Sequence, residues 1–266
     1  MDQKIKVAVI GTGALGKHHA RIYAELAKEG LIECVGVYDQ NISAAKEVAN
    51  QHRIPLLQTM EEATELAHAL SVVTPTITHF SIASGLLEKG KHLLVEKPMT
   101  DNTEQAQHLV ALACKKNCVL QIGHVERFNP VFTYLNASAK EPKFIETHRL
   151  SPYPARSTDI GVVLDLMIHD LDIVLAFVKS SVVQVDSAGV SVLSKSADIA
   201  NARLKFANGC VANLTVSRIS PERMRKIRVF SGGKEASYIS LDYQKQEGFI
   251  YRVASGGETP SSFWTQ

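Results

Sequence analysis

The sequence predicts an α/β domain with a doubly wound parallel sheet, followed by an α+β domain with a sheet on one side. Three observations carry this reading. Short apolar runs alternate with amphipathic helical patterns over residues 1–124, as parallel βαβ units require. A glycine-rich turn joins the first apolar run to the first helical pattern. After Pro130 several runs alternate apolar and polar residues, the signature of half-buried antiparallel strands. The chain's 266 residues exceed one small core and suit two domains, 1–124 and 125–266.

The elements follow in order. Ile5–Ile10 reads as a strand, and Leu15, Ile22 and Leu26 mark a helix that Gly30 stops. Ile32–Tyr38 is a second strand ending at Asp39, and Ser43 is the expected cap of a helix to about His52. A helix near Glu61–His68 leads to strand Ala69–Val73 and the loop Thr74-Pro75-Thr76. The next helix runs to Lys89 and ends at Gly90, and strand His92–Val95 follows. Thr103–Lys116 is helical and Val119–Ile122 is a short strand. In the second half a long apolar helix spans Asp165–Val178. Strands are expected at Val182–Val192, Ala200–Phe206, Cys210–Ser217, Lys226–Phe230 and Ala236–Leu241, with Asn208-Gly209 turning a hairpin.

Composition excludes several function classes. A formal charge of +2 gives no bulk attraction to nucleic acid. Arg223, Arg225, Lys226 and Arg228 interleave with Met224 and Ile227, which fits the wet face of a strand. The cysteines Cys34, Cys114, Cys118 and Cys210 form no CxxC and lack companion ligands, so they read as free thiols in a reducing, cytoplasmic setting. Lys4 and Lys6 precede only a short apolar run, unlike a signal peptide. The apolar stretch Val162–Val178 carries Asp165, His169, Asp170 and Asp172 and cannot span a membrane.

Gly11-Thr12-Gly13-Ala14-Leu15-Gly16 is a complete G-x-G-x-x-G in the required strand–turn–helix context. Gly11 permits the tight turn, Gly13 leaves room for a pyrophosphate, and Gly16 lets helix and sheet pack closely. The helix's free N–H groups then face the diphosphate. Asp39 stands where a carboxylate accepts hydrogen bonds from the adenosine ribose, and it repels a 2′-phosphate. No arginine follows it directly, so NAD is favoured over NADP.

Glu96-Lys97-Pro98 lies at the carboxyl end of strand His92–Val95, the edge where open α/β sheets bind ligands. Pro98 biases Lys97 toward an extended backbone. Asp165, His169 and Asp172 share a helix face. A carboxylate one turn from an imidazole fixes its tautomer and suits it to acid–base work on an alcohol proton. A solvated face with a charge pair is the plain alternative, and zinc ligation a third that wants more His or Cys. The apolar residues on the rest of this helix favour a functional reason for its polar groups.

Together, the glycine motif, Thr74-Pro75-Thr76 with His79, Glu96-Lys97-Pro98 and Asp165-x-x-x-His169 resemble the Gfo/Idh/MocA oxidoreductases over residues 5 to about 240. The resemblance implies a Rossmann domain that binds NAD, then an open-faced mixed or antiparallel sheet often used for dimer or tetramer contacts. It implies a catalytic set of Lys97, Asp165 and His169: His169 exchanges the hydroxyl proton, Lys97 polarises the reacting oxygen, and Asp165 orients His169. It also implies that Thr74, Pro75, Thr76, His79, Glu96 and Lys97 line the cofactor. The segment Gly123-His124-Val125-Glu126-Arg127-Phe128-Asn129-Pro130 is similar to members acting on nucleotide sugars, including UDP-N-acetylglucosamine 3-dehydrogenases. Arg127 and Arg156 then suit a diphosphate or carboxylate, though for Arg156 a plain exposed arginine reads equally well.

One departure stands out. Family members usually finish with a helix that packs back near the first domain, whereas no amphipathic helix is visible in Gly256–Gln266. Competing expectations are a free-sugar or inositol dehydrogenase, an enzyme that recycles bound NAD, and a non-catalytic dinucleotide-binding regulator. The intact Lys97, Asp165 and His169 favour chemistry over regulation.

Overall fold

The computed structural model describes residues 4–153, 160–233, 236–253 and 264–265. It divides into two compact units, Met1–Gly123 and His124–Gln266.

The first unit is a parallel five-stranded sheet in the order β2-β1-β3-β4-β5. Its strands are β1 (Ile5–Ile10), β2 (Ile32–Tyr38), β3 (Ala69–Val72), β4 (His92–Val95) and β5 (Leu120–Ile122). The helices are α1 (Gly16–Lys28), α2 (Ile42–His52), α3 (Met60–Leu66), α4 (Thr76–Glu88) and α5 (Thr103–Lys115). Successive strand residues face opposite sides, and both sides are covered. Val9 and Val37 pack with Ala20, Val48 and Ala49. Ala8, Ile10, Val72 and Val95 pack with Ala63, Ala83, Leu87 and Leu109. Strand order reverses beside β1, so the crevice beyond the carboxyl ends of β1 and β3 is the expected ligand site. Asn41, not Ser43, caps α2: Ile42 already has helical geometry, and Asn41 Oδ1 accepts the Ala44 N–H at 3.2 Å.

The second unit is an eight-stranded sheet in the order β13-β12-β11-β10-β6-β9-β8-β7. The expected strands appear as β7 (Val182–Val190), β8 (Ile199–Phe206), β9 (Val211–Ser217), β10 (Met224–Ser231) and β11 (Ser237–Asp242). The unforeseen central strand is β6 (Pro142–Leu150), antiparallel to β10 and parallel to β9, which makes the sheet mixed. Two further strands, β12 (Glu247–Val253) and β13 (Trp264–Thr265), extend one edge. At the β8–β9 hairpin Gly209 takes a φ of 82° while the Phe206 carbonyl accepts its N–H, a tight turn closed by a left-handed glycine. Strand β7 stops short of Val192 because the Asp198 carboxylate takes the N–H groups of Val192, Leu193 and Ser194 at 2.7–2.9 Å.

Two helices, α6 (Pro130–Ser138) and α7 (Ile168–Val178), cover one sheet face. Phe132 and Leu135 of α6, with Ile173, Val174 and Phe177 of α7, pack on Ile145, Leu204, Leu214, Ile227 and Ile239. The chain enters α7 through a π-helical turn, Val163–Met167, so the helical stretch begins before Asp165. The opposite face carries a row of rings from Phe144 through Phe230 and Tyr238 to Tyr251, spaced 4.9–6.0 Å. An open hollow of about 620 Å³ lies there beside Glu146 and Arg228.

Beneath α7, Arg149 of β6 is 2% exposed and grips the buried Asp170 with two bonds, Nε at 3.1 Å and Nη2 at 2.9 Å. Its Nη1 reaches Glu126 at 3.1 Å. Burial works against the Arg149 charge, but Asp170 and Glu126 outweigh it and hold the guanidinium firmly protonated. Removing one partner of such a pair strands the other in a dry site. Arg149→Met is therefore expected to cost about 3–5 kcal/mol in chemical denaturation, with Asp170→Asn in the same chain recovering part of it. Equal stability of wild type and Arg149→Met would remove this pair from the fold's essentials.

Candidate functional site

Each glycine of the turn has its own environment. Gly11 takes a φ of 94°, and a Cβ there would overlap the Val73 carbonyl oxygen. A Cβ on Gly16 would overlap the Gly11 carbonyl oxygen, so the first turn of α1 can lie this close only without a side chain. Nothing comes within 4 Å of a Cβ on Gly13, which therefore faces open space. No side chain caps α1, so the positive end of its dipole is left without a side-chain acceptor. Ala14 and Leu15 are exposed beside this opening.

Asp39 stands at the end of β2 and is tied to the same turn. Its Oδ2 accepts the Thr12 N–H at 2.7 Å and the Thr12 hydroxyl at 3.1 Å, and its Oδ1 accepts the Asn41 N–H at 2.9 Å. The carboxylate is thus oriented by bonds within the protein itself. Glycine turn, uncapped helix and oriented carboxylate match the three parts of a dinucleotide: diphosphate, its charge, and the adenosine ribose.

The two loops at the carboxyl ends of β3 and β4 are joined by His79, 1% exposed on α4. One ring nitrogen lies 2.9 Å from the Thr74 carbonyl oxygen and the other 2.9 Å from that of Pro98. Thr74 Oγ1 is 2.7 Å from the Thr78 hydroxyl, Pro75 precedes α4, and Thr76 begins it. Lys97 is half-buried, and the Lys97–Pro98 peptide is cis. Glu96 is buried. Its Oε1 lies 3.0 Å from His19 Nε2 and its Oε2 accepts the Lys97 N–H at 3.2 Å. Burial raises the Glu96 pKa, but the hydrogen bond and charge of His19, with the N–H and charge of Lys97, outweigh it and hold the carboxyl below its ordinary range.

In the second unit Asp165 lies in the π-helical turn and His169 in the first turn of α7. Arg127 lies in a short 3₁₀ turn, Val125–Phe128, and forks onto Asp172 of α7, with Nε at 2.7 Å and Nη2 at 2.6 Å. Asp172 thus serves Arg127. Arg156 and the glycine-rich stretch Gly256-Gly257 lie outside the described residues. Sequence reasoning missed His19, Ser71, Arg149, Asp198 and Arg218. Of these, only His19 had a visible signal, one helical turn past Gly16 in the glycine motif. Among the described residues no group of three or more His, Cys, Asp or Glu could hold a metal, and no helix is long and apolar enough to cross a membrane.

A five-stranded parallel sheet with this turn and this acidic residue defines a dinucleotide-binding oxidoreductase domain. Residues 5–124 match the model of the oxidoreductase family with an NAD-binding Rossmann fold, and residues 122–238 match the GFO/IDH/MocA C-terminal domain. The chain belongs to the Gfo/Idh/MocA family of NAD-dependent oxidoreductases. It is 38% identical to UDP-N-acetylglucosamine 3-dehydrogenase of Acidithiobacillus ferrooxidans, over 95% of this chain and 78% of that one. A solved structure of that enzyme superposes with a TM-score of 0.85, covering 93% of this chain and 80% of the other. The NAD-dependent scyllo-inositol 2-dehydrogenase of Bacillus subtilis is 25% identical over 83% of this chain and 69% of its own length.

The open space at Gly13 makes a direct test. Gly13→Val is expected to keep the wild-type thermal midpoint within about 2 °C and lose NAD binding by roughly 100-fold or more, read by calorimetry. Retained NAD affinity would mean that the diphosphate does not pass over Gly13.

Proposed function

We propose that this protein oxidises a secondary hydroxyl of a nucleotide sugar with NAD, at C3 of UDP-N-acetylglucosamine. The observation that carries the substrate is the 38% identity, over 95% of the chain, to an enzyme with that name. In this reading Gly11, Gly13, Gly16 and Thr12 hold the diphosphate, Asp39 holds the adenosine ribose, and Thr74, Pro75, Thr76, His79 and Glu96 frame the nicotinamide end. Bound NAD supplies a hydride acceptor at its nicotinamide ring. Lys97 donates to the reacting oxygen and stabilises the negative charge that builds there. His169 takes the hydroxyl proton as the carbon loses hydride, and Asp165 keeps its ring in the useful orientation. The products are a ketone, NADH and one proton.

Arg127 meets the substrate's diphosphate through the N–H groups its fork on Asp172 leaves over, and Arg156 adds a second charge. We further propose a homo-oligomer built through the open sheet face, whose aromatic row needs cover. A cytoplasmic home is supported by the free thiols of Cys34, Cys114, Cys118 and Cys210. The alternative substrate class, a free sugar or cyclitol, is favoured by the inositol dehydrogenase relative.

With purified protein and NAD, absorbance should report NADH with UDP-N-acetylglucosamine and not with free N-acetylglucosamine or inositols. Lys97→Ala should lower kcat by roughly 1000-fold while NAD affinity stays within about 3-fold. NADH from inositol alone would replace the substrate class, and an active Lys97→Ala would remove Lys97 from the chemistry. Asp39→Ala should shift the NAD-over-NADP preference by about 10- to 100-fold toward NADP. An unchanged ratio would mean that Asp39 does not meet the ribose.

A further inference from the structure

We propose that His19 is a positioning residue for Lys97: it ties the helix of the glycine-rich turn to the Glu96-Lys97-Pro98 loop through the Glu96 carboxylate. The proposal rests on the reading of Lys97 as catalytic.

The observations form one connected chain. His19 lies on α1, one turn past Gly16, and its ring is held on both sides. Nε2 is 3.0 Å from Glu96 Oε1, and Nδ1 is 3.2 Å from the hydroxyl of the fully buried Ser71 on β3. That hydroxyl is also 2.7 Å from the phenol of Tyr23, one turn further along α1. Hydrogen directions follow from chemistry. An ionised carboxylate only accepts, so His19 Nε2 donates to Glu96. Nδ1 is then free to accept the Ser71 O–H, and Ser71 accepts from Tyr23. Burial lifts the Tyr23 pKa, despite its bond to Ser71, and keeps the phenol a donor. The chain runs Tyr23 to Ser71 to His19 to Glu96 with every donor and acceptor matched.

Glu96 has little freedom within it. Its second oxygen accepts the Lys97 N–H. Gly123 lies against the carboxylate so closely that a Cβ there would sit 2.7 Å from Oε1. A buried carboxylate held on three sides sets where the next residue's backbone lies, and so where the Lys97 side chain departs. The same ring stands on the helix whose first turn faces the diphosphate. The loop bearing the catalytic lysine is thereby referenced to the element that holds the cofactor. Misplacing a catalytic group by about 1 Å costs up to roughly 100-fold in rate.

Two substitutions separate positioning from plain structure. The amide nitrogen of His19→Gln falls near the place of Nε2 and can still donate to Glu96. That of His19→Asn falls near Nδ1 and cannot reach it. With UDP-N-acetylglucosamine and NAD, His19→Asn should lower kcat by roughly 10- to 100-fold, with both KM values within about 3-fold. His19→Gln should hold kcat within about 3-fold of wild type. A second readout needs no turnover: the rate at which an amine-reactive reagent labels Lys97, followed by peptide mass spectrometry, should change in His19→Asn and not in His19→Gln. Wild-type kcat and labelling in His19→Asn would overturn the proposal. So would equal losses in both variants that track equal losses of thermal midpoint. An active Lys97→Ala would instead overturn the reading of Lys97 itself, whatever His19 does. If no sugar is oxidised, the labelling rates decide the matter for His19 alone.

Discussion

A carboxylate taken out of water must be met by donors, and much of this structure is arranged around three that are. Glu96 is met by His19 and the Lys97 N–H, Asp170 by the Arg149 fork, and Asp198 by Arg218 with a cluster of backbone N–H groups. Each lies beside a segment that carries proposed chemistry. Glu96 precedes Lys97, and Asp170 follows His169. Arg218 also donates to the carbonyl of Ile160, where the chain approaches the turn that holds Asp165. The Ser194 hydroxyl, foremost among several donors, keeps the Asp198 carboxyl below its ordinary range. Such pairs add little net stability over apolar packing, because desolvation offsets most of the attraction. What they supply is geometry: a bidentate fork admits one orientation, whereas a leucine in the same space admits several.

This constraint also explains which parts of the fold were legible in the sequence. The first unit was readable almost to the residue, because strands buried on both faces need continuous apolar runs and α/β turns need glycine or caps. The caps were harder. Ser43 and Asn41 both suit a helix start, and only Asn41 combines non-helical backbone with an oxygen aimed at Ala44. The second unit was readable where alternation was clean. Strand β6 escaped notice because its buried face reads Ile145, Thr147, Arg149. An inward arginine breaks the alternation that announces a strand, and its partner Asp170 lies on a helix far away in sequence. A buried pair is thus hidden from pattern reading at both of its ends.

The site divides along the same line. That Gly11, Gly13 and Gly16 form a strand-to-helix turn and that Asp39 follows β2 was legible, because such a turn constrains residue type at fixed offsets. The part Thr12 plays at Asp39 was not. Any small residue satisfies the motif at that position, and only the fold shows its N–H and hydroxyl on one carboxylate oxygen. His79 is similar: the family resemblance implies a place beside the cofactor, and the structure shows it bridging two loop carbonyls.

In the proposed reading of Arg127 as a substrate contact, such bonds bear on specificity. A surface arginine is a mobile cation that would greet any anion, at an entropic cost on binding. Here the guanidinium is fixed by Asp172, and the Asp172 charge partly cancels its own. The bond to Asp172 raises the Arg127 pKa, so the cation is secure. Its remaining N–H groups point in set directions, and an incoming anion must come to them. A diphosphate carries enough charge and enough oxygens to do so against the neighbouring carboxylate, while a neutral sugar hydroxyl gains little from the same donors. In the proposed reading an arginine held in this way favours a diphosphate over a neutral sugar, and the same bond joins the Val125–Phe128 turn to α7.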